Sequence, residues 1–520
     1  MIDAVVANFI DSVGEREFDA AFMAFLRSRG FYDIHFTHGS YEFGKDFIAK
    51  LREQDVERQY VFQSKAGGFN LEKWATAAPQ IELLRHSELA HPNFDPALPR
   101  QAVFVMTGRL TGGAITAAQD FCRQSERTDV PLTTWDRERL IEYMVPAVSS
   151  GMADRVEAPL LATAAAATNR EISDAQIERF SQRWCLNDES SPCVLETAIV
   201  ATALQRTLRL DLAAFAGLTL VRAACWHVHG RTPVDEDWSE AASLGRRIFA
   251  MYANLLFAKL GPDGGPSPPT MIGAHRDAAS LVTHAVRCLR IIETLGLLGL
   301  LGPDEGSEHS PQDVAVWLSK FIRRQTAAAS VISDKWAVAI VPAVLLLAKH
   351  GRLDQATDFL REVFVWIAQR YGEGIGLASA TATPDVEVRQ VIGVVIPQAV
   401  DVRRRDDSYL ASVFLDLCAF LKTRRLYAFV RDDLRRINVS ISVVATADTQ
   451  GQYVLDSNDV AHELKAHYAD ELPDDWTKAA PHLSRAAAPR YLQSVHRSWD
   501  HLAVSAVLRD RHFVCAWSTI

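Results

Sequence analysis

Apolar positions fall at helical spacing near the start of the chain. Phe18, Phe22, Phe25 and Leu26 form one stripe of a helix over residues 15–30, and Gly30 supplies the left-handed cap that ends it. Phe31 to Phe36 then reads as a strand, Gly39-Ser40 as a turn, and Phe43 to Leu51 as a second strand or the approach to one. Tyr60 to Ser64 (Tyr-Val-Phe-Gln-Ser) is β-rich and mostly apolar, which predicts a strand in the middle of a sheet. A helix over Leu71 to Leu89 carries Pro79 near its centre. Gln101 to Thr107 is a fourth strand, Thr111 to Gln124 a helix, Val130 to Thr134 a fifth strand, and Asp136 caps a helix through Tyr143. This order predicts an α/β domain whose mixed sheet is covered by helices on both faces.

The pattern changes after residue 148. Residues 149–172 read as a linker, opening on Ser149-Ser150-Gly151 and containing the alanine-rich stretch Ala158 to Ala167. From 173 to 520 the chain reads as mainly helical, with a subdivision near 261–270, where glycine and proline crowd together. Ser191-Pro192 opens one helix with proline at its first position, and Asp235 to Leu260 is another, stopped by Gly261-Pro262. Further helices are expected at about 273–301, 311–329, 334–350, 354–371, 385–402 and 407–424, and again in the tail over 458–510. Gly351 to Ala356 joins two of them as an αα-hairpin. Its Gly-x4-Ala spacing resembles one tetratricopeptide turn without a convincing second copy, so the expectation is a helical-repeat-like region at most. Asn438 to Thr446 is the one clear strand-like run in this half.

Composition narrows the class. With 48% hydrophobic and 23% charged residues over 520 positions, the chain is globular and too long for one ordinary core. The run Trp336 to Ala348 is too short to span a bilayer. Met1-Ile2-Asp3-Ala4 lacks a basic signal region; of the seven scattered cysteines none forms a Cys-x-x-Cys pair, which argues against zinc knuckles, and the odd count argues against a disulfide framework. A reducing cytoplasm is therefore the expected location. A net charge of -9 runs against phosphate binding in bulk, but local field matters more, and metal-binding carboxylates are themselves acidic.

Phosphodiester hydrolysis needs a water nucleophile, neutralisation of phosphate charge and help for the leaving oxygen. Carboxylate-bound Mg2+ and a lysine supply these. Asp46 lies in Phe-Gly-Lys-Asp-Phe, and Gln63-Ser64-Lys65 ends the next strand. Gln63 and Lys65 are two apart, which puts both on one face of an extended chain, and a hairpin would set Asp46 opposite them. Glu17 lies on the preceding helix, within Arg-Glu-Phe-Asp.

Residues 10–145 resemble the catalytic domain of Mrr-like restriction endonucleases, in the PD-(D/E)xK superfamily. The matching positions are Glu17-Phe18, Gly30-Phe31, Gly44-Lys45-Asp46, Gln63-Ser64-Lys65, Phe104 to Thr107, the helix with Ala114, Ala117 and Ala118, and Val130 to Asp136 ahead of Leu140. The resemblance covers about a quarter of the chain. It implies a restriction-endonuclease-like mixed sheet over 1–148, with Asp46, Gln63, Lys65 and Glu17 catalytic. Glu17, Asp46 and Gln63 would hold Mg2+, for which Mn2+ could substitute. It further implies a double-stranded DNA substrate, a homo-oligomer (dimer or higher), and restriction of phage or plasmid DNA. The region 173–520 would sense, recognise or oligomerise, with a protein or small molecule as activator. The segment Tyr41-Glu42-Phe43 departs from the small polar residues usual before Gly-x-Asp. The competing readings are a repair or junction-resolving nuclease and a non-catalytic DNA- or protein-binding scaffold.

Other residues invite chemistry and have plainer explanations. His35 and His38 flank the predicted site, but strand histidines are more often structural. Thr107 closes a strand beside it. Trp226, His227 and His229 suggest metal ligands, yet two histidines two apart on a helix face different sides, which favours packing. Arg403-Arg404-Arg405 and Arg424-Arg425 suggest nucleic acid, but the helix dipole favours arginine at helix C-termini as well.

Overall fold

A computed structural model describes residues 2–37, 44–53, 56–88, 91–148, 172–228, 235–261, 279–303, 307–380, 382, 386–387, 390, 405–445, 462–467, 471–474 and 498–508. The chain divides into two compact units. One is Met1–Ile172 with Glu189–Thr207; the other is Ser173–Asp188 with Leu208–Ile520.

The first unit holds α1 (Ile2–Ser12), α2 (Glu15–Ser28), β1 (Tyr32–Phe36), β2 (Phe47–Glu53), β3 (Val56–Lys65), α3 (Leu71–His86), β4 (Arg100–Met106), α4 (Gly113–Ser125), β5 (Leu132–Trp135) and α5 (Arg137–Val148). The five strands lie in the order β1-β2-β3-β4-β5. The first two pairings are antiparallel and the last two parallel. β3 is central, as its apolar composition predicted. Parallel neighbours need a crossover, and α3 and α4 supply the two that follow β3 and β4. The helix expected over 15–30 is present, and Gly30 leaves it at φ +85°. Asp136 caps α5 by accepting from the Arg139 amide at 3.2 Å.

Each face of the sheet has its own core. On one, the α2 ring of Phe22 meets Phe47 edge-on at 5.2 Å and Phe62 at 5.5 Å, with Trp135 beside it. Full burial of one such ring stabilises by roughly 1.5–3 kcal/mol. On the other, Trp74, Ile81 and Leu84 of α3 and Ala114 and Ala118 of α4 cover Ile48, Val61, Phe104 and Met106. Helix α1 was not anticipated, although Val5, Val6, Phe9 and Ile10 form its buried stripe. Helix α7 (Ser190–Arg206) also packs in this unit, against α2, α1 and α5. It starts at Ser190, so Pro192 is its third residue and not its first.

The second unit is mainly helical: α6 (Asp174–Gln182), α8 (Leu210–Val228), α9 (Glu236–Leu260), α10 (Ala279–Leu301), α11 (Pro311–Arg324), α12 (Ala337–Lys349), α13 (Leu353–Gly372), α14 (Tyr409–Phe420), α15 (Arg424–Ile437) and α16 (Ser498–Leu508). α8 and α9 cross where both backbones are bare. A Cβ on Gly217 would stand 2.6 Å from the Phe249 amide nitrogen, and Gly245 faces it. α12 and α13 form the expected αα-hairpin through Gly351, at φ +70°. The unit also contains a sheet in the order β6-β7-β8. β6 (Asp407–Ser408) is parallel to β7 (Ser440–Ala445), and β8 (His462–His467) is antiparallel to β7. The tail therefore contributes a strand where only helix was expected. β7 supplies paired partners for the β8 backbone, which an isolated segment cannot show. Most of the helix expected over 385–402 lies outside the described residues, as does the 262–269 loop. Among the described residues Cys122, Cys185, Cys193, Cys225, Cys288 and Cys418 are free thiols, and no helix is long and apolar enough to cross a membrane.

Candidate active site

The β2–β3 register pairs Phe47 with Phe62, so the next position sets Asp46 across from Gln63. The Asp46 backbone is held from both sides. Its amide donates to the Phe62 carbonyl at 2.8 Å, and its carbonyl accepts from the Thr37 amide at 2.9 Å. Its carboxylate Oδ2 accepts from the Ser64 amide at 2.6 Å and from Ser64 Oγ at 3.3 Å. Two residues on, Lys65 Nζ donates to Glu15 Oε1 of α2 at 2.8 Å.

The turn into β2 is pressed onto α3. Gly44 has φ +75°, and a Cβ there would stand 2.6 Å from the Gln80 carbonyl oxygen, so only glycine fits. Lys45 is fully buried and donates through Nζ to the Leu83 carbonyl at 3.1 Å, near the C-terminus of α3. Burial, with Arg100 adding to it, pulls the Lys45 ammonium down to about 8. Both contacts fix the position from which Asp46 starts.

Gln63 and Lys65 leave the strand in different directions. Gln63 is buried and donates through Nε2 to Gln80 Oε1 of α3 at 3.0 Å, while its own Oε1 is buried with no hydrogen-bond partner. Lys65, at the last position of β3, reaches α2. Their spacing predicted a shared face, and the lysine stem is long enough to carry its ammonium off that face at the strand's end.

The helix-borne acids are arranged differently from the single glutamate expected. Glu17 folds back over Gly14, its Oε2 only 2.2 Å from the place a Cβ there would take. Glu15 pairs with Lys65. Asp19, one turn after Glu15, is half-buried, and its carboxyl is pushed up to about 8, first by burial and then by Asp46, Glu15 and Glu17, against the opposing pull of Arg16. Four carboxyl groups thus share one field beside the hairpin end. Asp19 and Glu15 were not singled out from sequence. The signal was present in the helical period: Phe22, Met23 and Leu26, buried on α2, stand three, four and seven residues beyond Asp19.

Among the described residues no three His, Cys, Asp or Glu side chains are grouped into a ready-made metal cage. Mg2+ does not require one. It keeps several waters and is held by one or two carboxylates together with substrate phosphate. The Asp46 carboxylate and the unpartnered carbonyl oxygen of Gln63 are hard oxygen donors on opposed residues of one hairpin, and they fit such a cation. The like charges around Asp19 are what a cation would neutralise.

The remaining candidates resolve into structure. Thr107, buried, accepts from the Gly67 amide at 2.8 Å and donates its own amide to the Lys65 carbonyl at 3.1 Å, pinning the chain just past Lys65. His35 Nε2 lies 2.7 Å from Asp33 Oδ1, in a cluster with Lys50 and Asn93. His38 and Tyr41-Glu42-Phe43 lie outside the described residues. His227 is buried, stacked on Trp238 at 3.9 Å and bonded to the Trp184 carbonyl at 2.9 Å, which is packing. His229 lies outside the described residues, as do Arg403 and Arg404. Arg405 pairs with Asp334 and Asp407. Arg424 and Arg425 open α15 at its N-terminus, so the helix dipole does not account for them.

Comparison of the chain with protein-family models, with curated proteins and with solved structures gave no match.

Proposed function

We propose that the first unit is a Mg2+-dependent endodeoxyribonuclease of the restriction-endonuclease type. The observation that carries this reading is the hairpin: Asp46 stands opposite Gln63, with Lys65 two residues further and a group of acids from α2 alongside. Asp46 and Gln63 Oε1 would hold the cation, with Glu17, Glu15 or Asp19 completing the oxygen set through α2. The cation supplies Lewis acidity and offsets the phosphate charge. Ser64 orients the Asp46 carboxylate through its amide. Lys65 hydrogen-bonds the attacking water and stabilises the charge that builds on the phosphate. Glu15 keeps the Lys65 ammonium at the α2 end of the site. The substrate is double-stranded DNA, cut by an oligomer in restriction of phage or plasmid DNA, with the helical unit regulating or targeting the cut. These last assignments rest on the sequence resemblance.

The test is plasmid cleavage by the full chain with Mg2+ or Mn2+, and with chelator. Lys65→Ala and Asp46→Ala should each lower the rate by about 10²–10³-fold. Cleavage that survives both substitutions overturns the site, and none in either metal favours a binding protein or an enzyme awaiting an activator.

A further inference from the structure

Glutamine can ligate a cation through one atom only. Its side-chain amide ends in an oxygen, which accepts, and an NH2 group, which donates and repels a cation. The two ends differ by a half-turn about the last bond. A glutamine at a metal-binding position is therefore useful only if something fixes that half-turn, a problem a carboxylate never meets.

In this chain the fixing partner is visible. Gln63 Nε2 donates to Gln80 Oε1 at 3.0 Å, which commits the NH2 end to α3. The Gln63 oxygen is left buried and without a hydrogen-bond partner, on the residue opposite Asp46. A buried carbonyl oxygen without a donor is unfavourable, and native structures rarely keep one without cause. A cation at Asp46 would satisfy it. Gln80 is positioned for this task by its own backbone: its carbonyl is the atom against which Gly44 is packed, so the helix turn carrying Gln80 is locked to the turn that carries Asp46. The Gln80 side chain is itself exposed, so packing of the core does not dictate a glutamine there.

We infer that Gln80 is a positioning residue, which holds the Gln63 amide with its oxygen toward the cation. The inference rests on the metal-binding reading above and concerns a residue outside it. An acceptor at position 80 preserves the arrangement, whereas a side chain without one frees the amide to turn.

The experiment measures Mn2+ binding to the metal-stripped full chain by the loss of the free-ion electron paramagnetic resonance signal, without any DNA. Wild type should bind. Gln80→Leu should bind about 10–100-fold more weakly, the usual effect of removing an outer-shell partner. Gln80→Glu keeps the acceptor and should bind at least as tightly as wild type. In a Gln63→Ala background, Gln80→Leu should have no further effect, because the amide it orients is gone. Wild-type binding with an indifferent Gln80→Leu variant overturns the inference and leaves the metal site standing. An equal loss on both backgrounds also overturns it, showing that Gln80 acts on the fold and not through Gln63. Absence of Mn2+ binding in wild type overturns the metal reading and this inference with it.

Discussion

Asp334 in the helical unit and Asp19 in the α/β unit are both carboxylates drawn away from water, and their surroundings are opposite. Asp334 is fully buried. Its Oδ1 accepts from Ser408 Oγ at 2.8 Å and the Leu410 amide at 3.2 Å, and its Oδ2 from the Tyr409 amide at 3.1 Å and Arg405 at 2.9 Å. It thereby satisfies the first-turn amides of α14 and faces a guanidinium. Asp19 is surrounded instead by Asp46, Glu15 and Glu17, with Arg16 opposing them. A saturated buried charge holds a fold together. A group of like charges at a strand end works against the fold, and such groups concentrate where a ligand or cation completes them.

The contrast can be broken at four points. Asp334→Ala leaves Arg405 and the α14 amides without their partner. It should cost about 3–5 kcal/mol in denaturant unfolding of the full chain; a cost under ~1 kcal/mol would erase the distinction. Asp46→Ala should act mainly on function. A saturating divalent cation at 100 times its dissociation constant stabilises by about 2.7 kcal/mol, and this gain, read as a shift in thermal midpoint, should vanish in the variant. If Asp46→Ala keeps the shift, the cation sits elsewhere.

Asp19→Asn tests the repulsion itself, in chelator. The folded pKa near 8 stands above the ordinary 3.8. Between those values the folded chain binds more protons than the unfolded one, so the contribution of Asp19 is complete at low pH and is lost as pH rises toward 8. Asparagine stays neutral. The thermal midpoint of Asp19→Asn should therefore exceed wild type by more at pH 8 than at pH 5, and an equal gap at both would show that Asp19 is not destabilised by charge. The smallest effect belongs to Glu15→Gln. The Glu15–Lys65 pair is partly exposed, at 46% and 29%, and its loss should change stability by no more than about 1 kcal/mol. A larger loss would make the pair a part of the scaffold.

Much of the α/β unit was legible from residue spacing. The five strands, the central place of Tyr60 to Ser64 and the cap at Gly30 all follow from local periods. α1 is equally legible in the helical spacing of Val5, Val6, Phe9 and Ile10. On α2 the family pattern points to Glu17, while helical spacing to the buried Phe22, Met23 and Leu26 points to Asp19. In the second unit β8 is not legible as a strand, because its pairing partner β7 lies about twenty residues away in sequence.

Sequence by itself determined the order of elements, the two compositional halves, and the presence of Asp46, Gln63 and Lys65 at spacings that suit a hairpin. Those properties are local, set by side-chain period, turn chemistry and caps. Tertiary structure alone decided which way each side chain turned. It sent Lys65 to Glu15 and the Gln63 amide to Gln80, buried Lys45 against the end of α3, and brought Asp46 to the α2 acids around Asp19. Charge, burial and hydrogen-bond partners depend on distance in space, and residues 15 and 65 or 63 and 80 become neighbours only after the sheet and its helices have packed.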